Sequence, residues 1–174
     1  IDSLLSSRND GKALKNFKKA FYVELDKLAT AGDERLLVLG ATDRPEALRA
    51  YARKWFSIRL YFPLPAAENR KTIVSSLMTD QNHSICSEQF ETISKITEGY
   101  SGGDLELLCK KASIAPIREA MSSSSVSDIK SAVVNIIRPI ALEDFTNAVE
   151  VVKPEASEER LVALEEWNAS NGGP

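Results

Sequence analysis

Cysteine and histidine are scarce in this sequence, and their scarcity limits the kinds of site that it can hold. Its 174 residues include one histidine, His83, and two cysteines, Cys86 and Cys109. Because the cysteines are far apart and His83 lies in a polar stretch without a catalytic partner, we expect no metal site and a solvent-exposed histidine. So few cysteines favour a reducing, intracellular compartment.

The sequence also lacks a strong charge of one sign and a long hydrophobic run. Its net charge is −3 and its pI about 5.4, which argues against sequence-independent binding of nucleic acid. No apolar run approaches the ~20 residues that a transmembrane helix needs, so we expect no membrane insertion. The hydrophobic content of 43% is enough for the core of one domain or of two small ones.

A phosphate-binding loop is missing as well. The pair Gly11-Lys12 is the sequence's only glycine-lysine step, but no glycine lies five residues before Gly11, and Ala13 stands where such loops have serine or threonine. The residues alone therefore do not prove an enzyme.

The first 62 residues alternate between helix and strand patterns. An apolar stripe from Lys12 to Leu28 predicts an amphipathic helix. The continuous apolar run Leu36–Thr42 predicts a buried parallel strand, and Phe56–Phe62 predicts a second one that ends at Pro63. Pro45 marks the start of a short helix between them. This order predicts an α/β fold.

After Pro65 the patterns are helical, and they predict an all-α region that ends with a separate C-terminal helix. Ser87 is expected to cap one helix that closes near Gly99, and Pro116 to kink or end the next. That next helix follows Ser101-Gly-Gly-Asp104, which has the form of a capping box. The serine run at residues 122–125 is expected to be a flexible connector.

Several ordered stretches together resemble one family, the AAA ATPases of the meiotic clade, which comprises fidgetin, spastin, katanin and the vacuolar-sorting ATPase. The similarity covers nearly the whole chain, and the stretches ARKWF and LEEWN resemble fidgetin and fidgetin-like proteins most. The matching stretches, in order, are IDSLLSSR, ERLLVLGATDRP, RLYFPLP, TEGYSGGDLELLCKKASIAPIRE, RPIALEDFTNAVEVVKPEAS and LEEWN.

The resemblance implies three regions. Residues 1–65 would be the C-terminal part of the α/β nucleotide-binding subdomain, residues 66–153 the helical lid, and residues 154–174 a C-terminal helix that packs on the core. In the family, the stretch IDSLL directly follows the Asp-Glu pair that holds Mg²⁺, and the phosphate loop lies further upstream. ATP and Mg²⁺ would then be bound mainly by residues outside this chain, which by itself is expected to be inactive and poorly soluble.

Site residues also follow from the resemblance. Arg53 and Lys54 stand where the family carries paired arginines that a subunit of the hexameric ring directs at its neighbour's ATP. Such an arginine is typically worth ~10³–10⁵ in rate, and Lys54 is not an equivalent replacement because it lacks the planar fork. Gly102, Gly103 and Asp104 stand at the nucleotide-binding start of a lid helix, where a glycine lets the backbone approach the adenine.

Two departures from the family concern activity. Asp43 stands where the family has the asparagine next to the γ-phosphate; a carboxylate there would repel the phosphate by about 4 kcal/mol at ~4 Å and a dielectric near ~20, which should slow hydrolysis. The segment between Arg8 and Phe21 resembles the second pore loop but is shorter, and Lys15-Asn16 replaces paired arginines.

The leading hypothesis is therefore that the chain is part of an ATP-hydrolysing ring motor. Such a motor would pull acidic tubulin tails through its pore and sever microtubules. The alternative is a degenerate, non-catalytic AAA protein that joins or regulates such rings. A third, weaker hypothesis is membrane-remodelling work of the vacuolar-sorting kind. A phosphate loop encoded immediately upstream of Ile1 would favour the motor.

Overall fold

A computed structural model describes residues 11–30, 37–48, 50–123 and 137–172. The chain divides into two compact units, one formed by residues Ile1–Phe62 and Glu158–Pro174 and the other by Pro63–Ser157. The second unit is thus a continuous stretch, whereas the first combines the two ends of the chain.

Within the described ranges the regular structure is almost entirely helical. The helices of the first unit are α1 (Lys12–Thr30), a 3₁₀ turn (Pro45–Ala47), α2 (Ala50–Trp55) and, near the C-terminus, α7 (Glu158–Asn171). The helices of the second unit are α3 (Ala67–Met78), α4 (Ser87–Ile96), α5 (Gly102–Ser123) and α6 (Leu142–Val151). The helix predicted from the stripe that begins at Lys12 is confirmed.

Aromatic contacts hold α1 against α2 in the first unit. The rings of Tyr22 and Tyr51 meet edge-to-face with centroids 5.0 Å apart, a favoured geometry for aromatic pairs. The Tyr51 hydroxyl also donates a hydrogen bond of 3.2 Å to Asp26. Beside these rings, Leu48 and Ala52 are buried. This small cluster fixes the short helix that carries the predicted pair of cations.

The two predicted strands are not formed among the described residues. Residues 37–42 and 56–62 are neither helix nor strand, although their side chains are the apolar ones that predicted strands. A strand exists only where its backbone pairs with a neighbour, and neither segment has such a partner in the described part of the chain. Leu39 is 82% exposed and Phe62 83%, so both segments leave large apolar side chains in solvent.

The second unit has the main hydrophobic core, to which its four helices all contribute. Side chains with no exposed surface come from α3, α4, α5 and α6, and they are Val74, Met78, Ile93, Leu105, Leu108, Ala112 and Phe145. The predicted closure of α4 is confirmed, since Gly99 adopts a φ of 79° that favours glycine. The N-cap of α4 is Cys86, one residue before the predicted Ser87.

Two arginines connect the elements of this unit through well-placed donors. Arg70, which is 8% exposed, donates to the carbonyl of Ser94 at 3.1 and 2.8 Å and to that of Pro65 at 2.7 Å. Arg138 donates to Glu119 near the end of α5 and to Asp144 at the start of α6. Each guanidinium therefore links segments that are distant in sequence.

Two further predictions concern Pro116 and His83. Helix α5 does not end at Pro116 but continues to Ser123, because the burial of Pro116 offsets the backbone hydrogen bond that proline cannot make. The prediction of an exposed His83 is wrong: its ring is half-buried, accepts a hydrogen bond from the Ile85 N–H and meets Phe90 edge-to-face. A parallel bridge joins His83 to Ile140, a partner too distant in sequence for local patterns to predict.

Ser122 and Ser123 of the predicted connector belong to α5, and residues 124–125 lie outside the described residues. Among the helices that the structure describes, none has the length and apolar character needed to cross a membrane.

Candidate functional site

Arg53 and Lys54 form the last turn of the short helix α2. The Arg53 side chain is half-buried, and its Nη1 donates a hydrogen bond of 2.7 Å to the carbonyl of Leu48. This bond engages only part of the guanidinium, which has several further N–H donors. Lys54 is exposed. The pair thus combines one arginine held by a main-chain carbonyl just before its helix with one exposed point charge.

Arg59 connects the end of this helix to the C-terminal helix. Its guanidinium donates to the carbonyls of Arg53 at 3.2 Å, Phe56 at 3.1 Å and Asn171 at 2.7 Å. A cation next to the carbonyls at a helix C-terminus also interacts favourably with the helix dipole. Arg59 therefore holds the backbone that carries Arg53 and Lys54, although the sequence analysis did not identify it as a site residue.

The Asp43 carboxylate is exposed, and a hydrogen bond to Asp43 is made to its main-chain carbonyl. Its side chain is 76% exposed, and Arg44 approaches it to 3.9 Å. The carbonyl of Asp43 accepts a hydrogen bond from Arg160 of α7. An ionised carboxylate offers acceptors only, so this side chain cannot donate to a phosphate.

Arg160 also binds Glu46, in the 3₁₀ turn, with an Nη1–Oε1 distance of 2.8 Å. Partial burial disfavours the charged form of Glu46, but the hydrogen bond from Arg160 and the attraction of Arg160 and Arg44 outweigh it, so its pKa lies below the ordinary value. The start of α7 is thereby attached to the segment that contains Asp43.

The start of α5 has the predicted capping box. The Asp104 carboxylate accepts from the Ser101 N–H at 2.9 Å and from its hydroxyl at 2.8 Å, and the Asp104 N–H donates to the Ser101 oxygen at 3.2 Å. Asp104 is 6% exposed and its carboxylate is committed to this cap. Gly102 and Gly103 are exposed.

The two glycines fit the close approach of a flat ring. A Cβ added at Gly102 would meet nothing within 4 Å, and one at Gly103 would meet only the Ser101 hydroxyl, at 3.7 Å. In the described part of the chain, then, nothing blocks the backbone at the place where the resemblance puts the adenine, and these residues could hold it. For Mg²⁺ the described residues offer no group of three or more acidic, histidine or cysteine side chains.

The candidate residues are divided between the two units. Asp43, Arg53 and Lys54 belong to the first, and Gly102, Gly103 and Asp104 to the second. Within the first unit, Arg160 and Arg59 attach the two ends of α7 to the segments of Asp43 and Arg53. The segment that resembles a pore loop is helical from Lys12 onward.

Sequence reasoning missed Arg59 and Arg160. A signal for Arg59 was available, because a lone arginine within the apolar stretch FSIRLYF implies a polar partner. No comparable signal marks Arg160, whose partners lie 114 and 117 residues away.

Comparison with known proteins places these features in a family. Residues 87–131 match the AAA+ lid domain. The chain is 41% identical to fidgetin-like protein 1 of Xenopus tropicalis over 99% of its length and 26% of the relative's. It is 38% identical to spastin of Dictyostelium discoideum, again over 99% of its length and 26% of the relative's.

The chain is similar to AAA ATPases of the fidgetin-like and spastin kind along nearly its whole length. Its solved neighbours agree: the crystal structure of the FIGL-1 AAA domain in complex with ADP matches with a TM-score of 0.89 and 40% identity, over 100% of this chain and 56% of that one. A katanin structure described for its self-assembly matches with a TM-score of 0.77 and 28% identity, over 95% of this chain and 55% of that one.

These comparisons confirm the predicted fold class, a partial AAA nucleotide-binding subdomain followed by a helical lid and a C-terminal helix. The chain spans about a quarter of the length of the curated relatives that it matches. It spans about half of the matched AAA-domain structures.

Proposed function

We propose that this AAA chain is part of an ATP-hydrolysing ring motor in which Arg53 acts on ATP held by a neighbouring subunit. The observation that carries the proposal is the position of two cations, Arg53 and Lys54, at the end of a short helix. Buried Leu48 and Ala52 anchor this helix, and Arg59 donates to the carbonyl of Arg53. The likeness to a katanin structure described for self-assembly supports an assembly of subunits.

Positive charge at this segment would stabilise the negative charge that develops during phosphoryl transfer. Bound ATP with Mg²⁺ supplies the phosphoryl group, and both would be held mainly by other parts of the AAA domain. To reach a neighbour's phosphates, the Arg53 guanidinium would exchange its bond to the Leu48 carbonyl for phosphate oxygens, which are stronger, charged acceptors. Gly102 and Gly103 would lie against the adenine. This chain alone would then be inactive.

The steady-state ATPase rate of the full-length protein tests this assignment. Arg53→Ala should lower the rate by about 10³-fold or more, the scale of a trans-acting arginine. Lys54→Ala should cost less, because an exposed point charge lacks the bidentate fork. Arg118→Ala, at an exposed arginine of α5, is the control. An Arg53→Ala rate equal to the unaltered one would refute the assignment.

We further propose that the motor severs microtubules by pulling on the acidic tails of tubulin. The support is the likeness to fidgetin-like protein 1 and spastin, together with the first turns of α1, where Lys12, Lys15 and Lys19 are exposed at spacings of three and four residues. Three cations on one helix face suit an acidic, extended peptide. The site of action would be the cytoplasm, the cytoskeleton or the nucleus.

Binding to microtubules with and without their acidic tails tests the substrate. Co-sedimentation should be lost when the tails are removed by protease, and it should weaken in a Lys12→Gln/Lys15→Gln/Lys19→Gln variant. A variant with exposed lysines of α5 replaced, Lys110→Gln/Lys111→Gln, controls for the loss of positive charge. Equal binding to tailless microtubules would contradict a tail-pulling motor. Imaging of the tagged protein tests its location.

Asp43 favours a second candidate, a non-catalytic AAA subunit that joins or regulates rings. Its carboxylate is exposed in a position where the resemblance places an amide donor. The motor predicts that Asp43→Asn leaves turnover equal or faster, because it removes repulsion of the phosphate. The regulatory subunit predicts no turnover in either form.

A further inference from the structure

Polar contacts attach both ends of the C-terminal helix α7 to the rest of the first unit. It has 14 residues and no fully buried side chain. Its apolar residues Leu161, Leu164 and Trp167 are only half-buried. A helix of this length is marginal on its own, and burial of an apolar face normally supplies most of its stability. Polar contacts therefore matter more here than in a helix that is packed into a core.

Those contacts lie at the two ends of α7 and reach the two segments that contain Asp43 and Arg53. At the start, Arg160 donates to the Asp43 carbonyl and to Glu46. At the end, the Asn171 carbonyl accepts from Arg59, whose other donors hold the carbonyls of Arg53 and Phe56. One helix thus spans from the Asp43 segment to the Arg53 segment.

We propose that Arg59 is a positioning residue for Arg53. Its hydrogen bond to the carbonyl of Asn171, at the end of α7, would hold the Arg59 side chain in place for this role. The inference rests on the proposed function, which it deepens. Arg59 donates to the main-chain oxygens of Arg53, Phe56 and Asn171, so it defines the backbone path from Arg53 to Phe56 rather than contacting a ligand. Because its fork joins these carbonyls at once, lysine cannot replace it.

The first test is Arg59→Lys in the full-length protein, with Arg118→Lys as the matched control. We expect kcat to fall by about 10–100-fold, since a shift of ~1 Å in a positioned group can cost ~10²-fold. KM for ATP and the affinity for ADP should stay near those of the unaltered protein, because Arg59 does not hold the nucleotide of its own subunit. The midpoint of thermal unfolding should fall too little to account for the loss of kcat. A fall in ADP affinity or in the unfolding midpoint that accounts for the loss would make the role merely structural and overturn the proposal.

The second test removes the other end of the connection. A deletion of residues 170–174 removes the Asn171 carbonyl while it leaves Arg59 and its bonds to Arg53 and Phe56 in place. It should lower kcat to a similar degree, and adding Arg59→Lys should cause little further loss, because both changes break one connection. Losses that multiply would show that the two act independently and would overturn the proposal. If Arg59→Lys lowers the yield of folded protein, this deletion carries the test.

A readout without nucleotide complements the kinetics. In the protein free of ATP, amide hydrogen exchange over residues 53–59 should be faster in both variants than in the control, and exchange in α3–α6 should be unchanged. Unchanged exchange over residues 53–59 would overturn the proposal.

Arg53→Ala, measured in parallel, shows whether the proposed function or only the positioning role of Arg59 fails. If Arg53→Ala keeps full turnover, the proposed function fails, and the positioning role fails with it. If Arg53→Ala loses turnover and Arg59→Lys does not, the positioning role alone is wrong.

Discussion

Arg138 holds the Asp144 carboxylate with two hydrogen bonds of 2.8 Å, one from each terminal nitrogen. The same carboxylate accepts the Ala141 N–H at 2.9 Å and so caps the start of α6. A third donor of Arg138 binds Glu119 of α5 at 2.7 Å. One guanidinium thus joins the elements on either side of residues 124–136.

Asp144→Asn should destabilise the helical unit. An amide keeps an oxygen for the cap but loses the charge that Arg138 pairs with, and the side chain is 2% exposed. Because Arg138 itself is half-exposed, we expect a loss of about 1–3 kcal/mol in the free energy of unfolding rather than the full cost of a broken buried pair. Urea unfolding measures it. Glu143→Gln, a change at the exposed neighbouring residue, is the control, and equal effects of the two changes would contradict the argument.

The same pair predicts how stability depends on pH. The hydrogen bonds from Arg138 keep the pKa of Asp144 below its ordinary value, although burial acts in the opposite direction. A lowered folded-state pKa gives stability that is complete above the unfolded pKa of about 3.9 and is lost as the pH falls through the folded pKa. The difference in unfolding free energy between the unaltered protein and Asp144→Asn should therefore shrink in acid. A difference that stays constant from about pH 7 to about pH 2 would rule this out.

The two cysteines should differ in reactivity. Burial raises the pKa of the Cys109 thiol to about 11, whereas Cys86 is exposed. Since the thiolate is the reactive form, iodoacetamide at about pH 8 should modify Cys86 quickly and Cys109 only after unfolding. Mass spectrometry of digested protein assigns each product. Equal rates for the two thiols in the folded protein would contradict the packing around Cys109.

Arg70→Lys should destabilise the helical unit although it conserves the charge. A lysine cannot reproduce the donors that Arg70 directs to the carbonyls of Ser94 and Pro65, so at least one buried carbonyl would lose its partner, at a cost of about 1–3 kcal/mol. Lys71→Gln, at the next residue, removes an exposed pair with Glu91 and should have a smaller effect, as surface pairs generally do. Thermal unfolding compares the two, and a larger effect of Lys71→Gln would be inconsistent with the structure.

What the sequence predicts correctly is local. The capping box at Ser101 and Asp104 forms because its partners are three residues apart, and the closure at Gly99 needs only the conformational freedom of one glycine. The strand predicted at Leu36–Thr42 does not form in the described residues, because a strand depends on a paired neighbour that periodicity cannot supply.

Arg59 and Arg160 escaped prediction for a related reason, since they bind main-chain oxygens 112 and 117 residues away. The continuation of α5 through Pro116 likewise depends on tertiary burial. The sequence alone therefore could not predict contacts between distant parts of the chain.

Subunit mixing tests the central claim, a charge supplied by one subunit to the ATP of another. Full-length Arg53→Ala subunits are mixed with subunits whose phosphate-loop lysine is replaced so that they cannot bind ATP. Each variant alone should be inactive. In mixed rings, an ATP-competent Arg53→Ala subunit can lie beside a neighbour that still has Arg53, so ATPase activity should reappear and follow the mixing ratio. A mixture no more active than its components would contradict the claim.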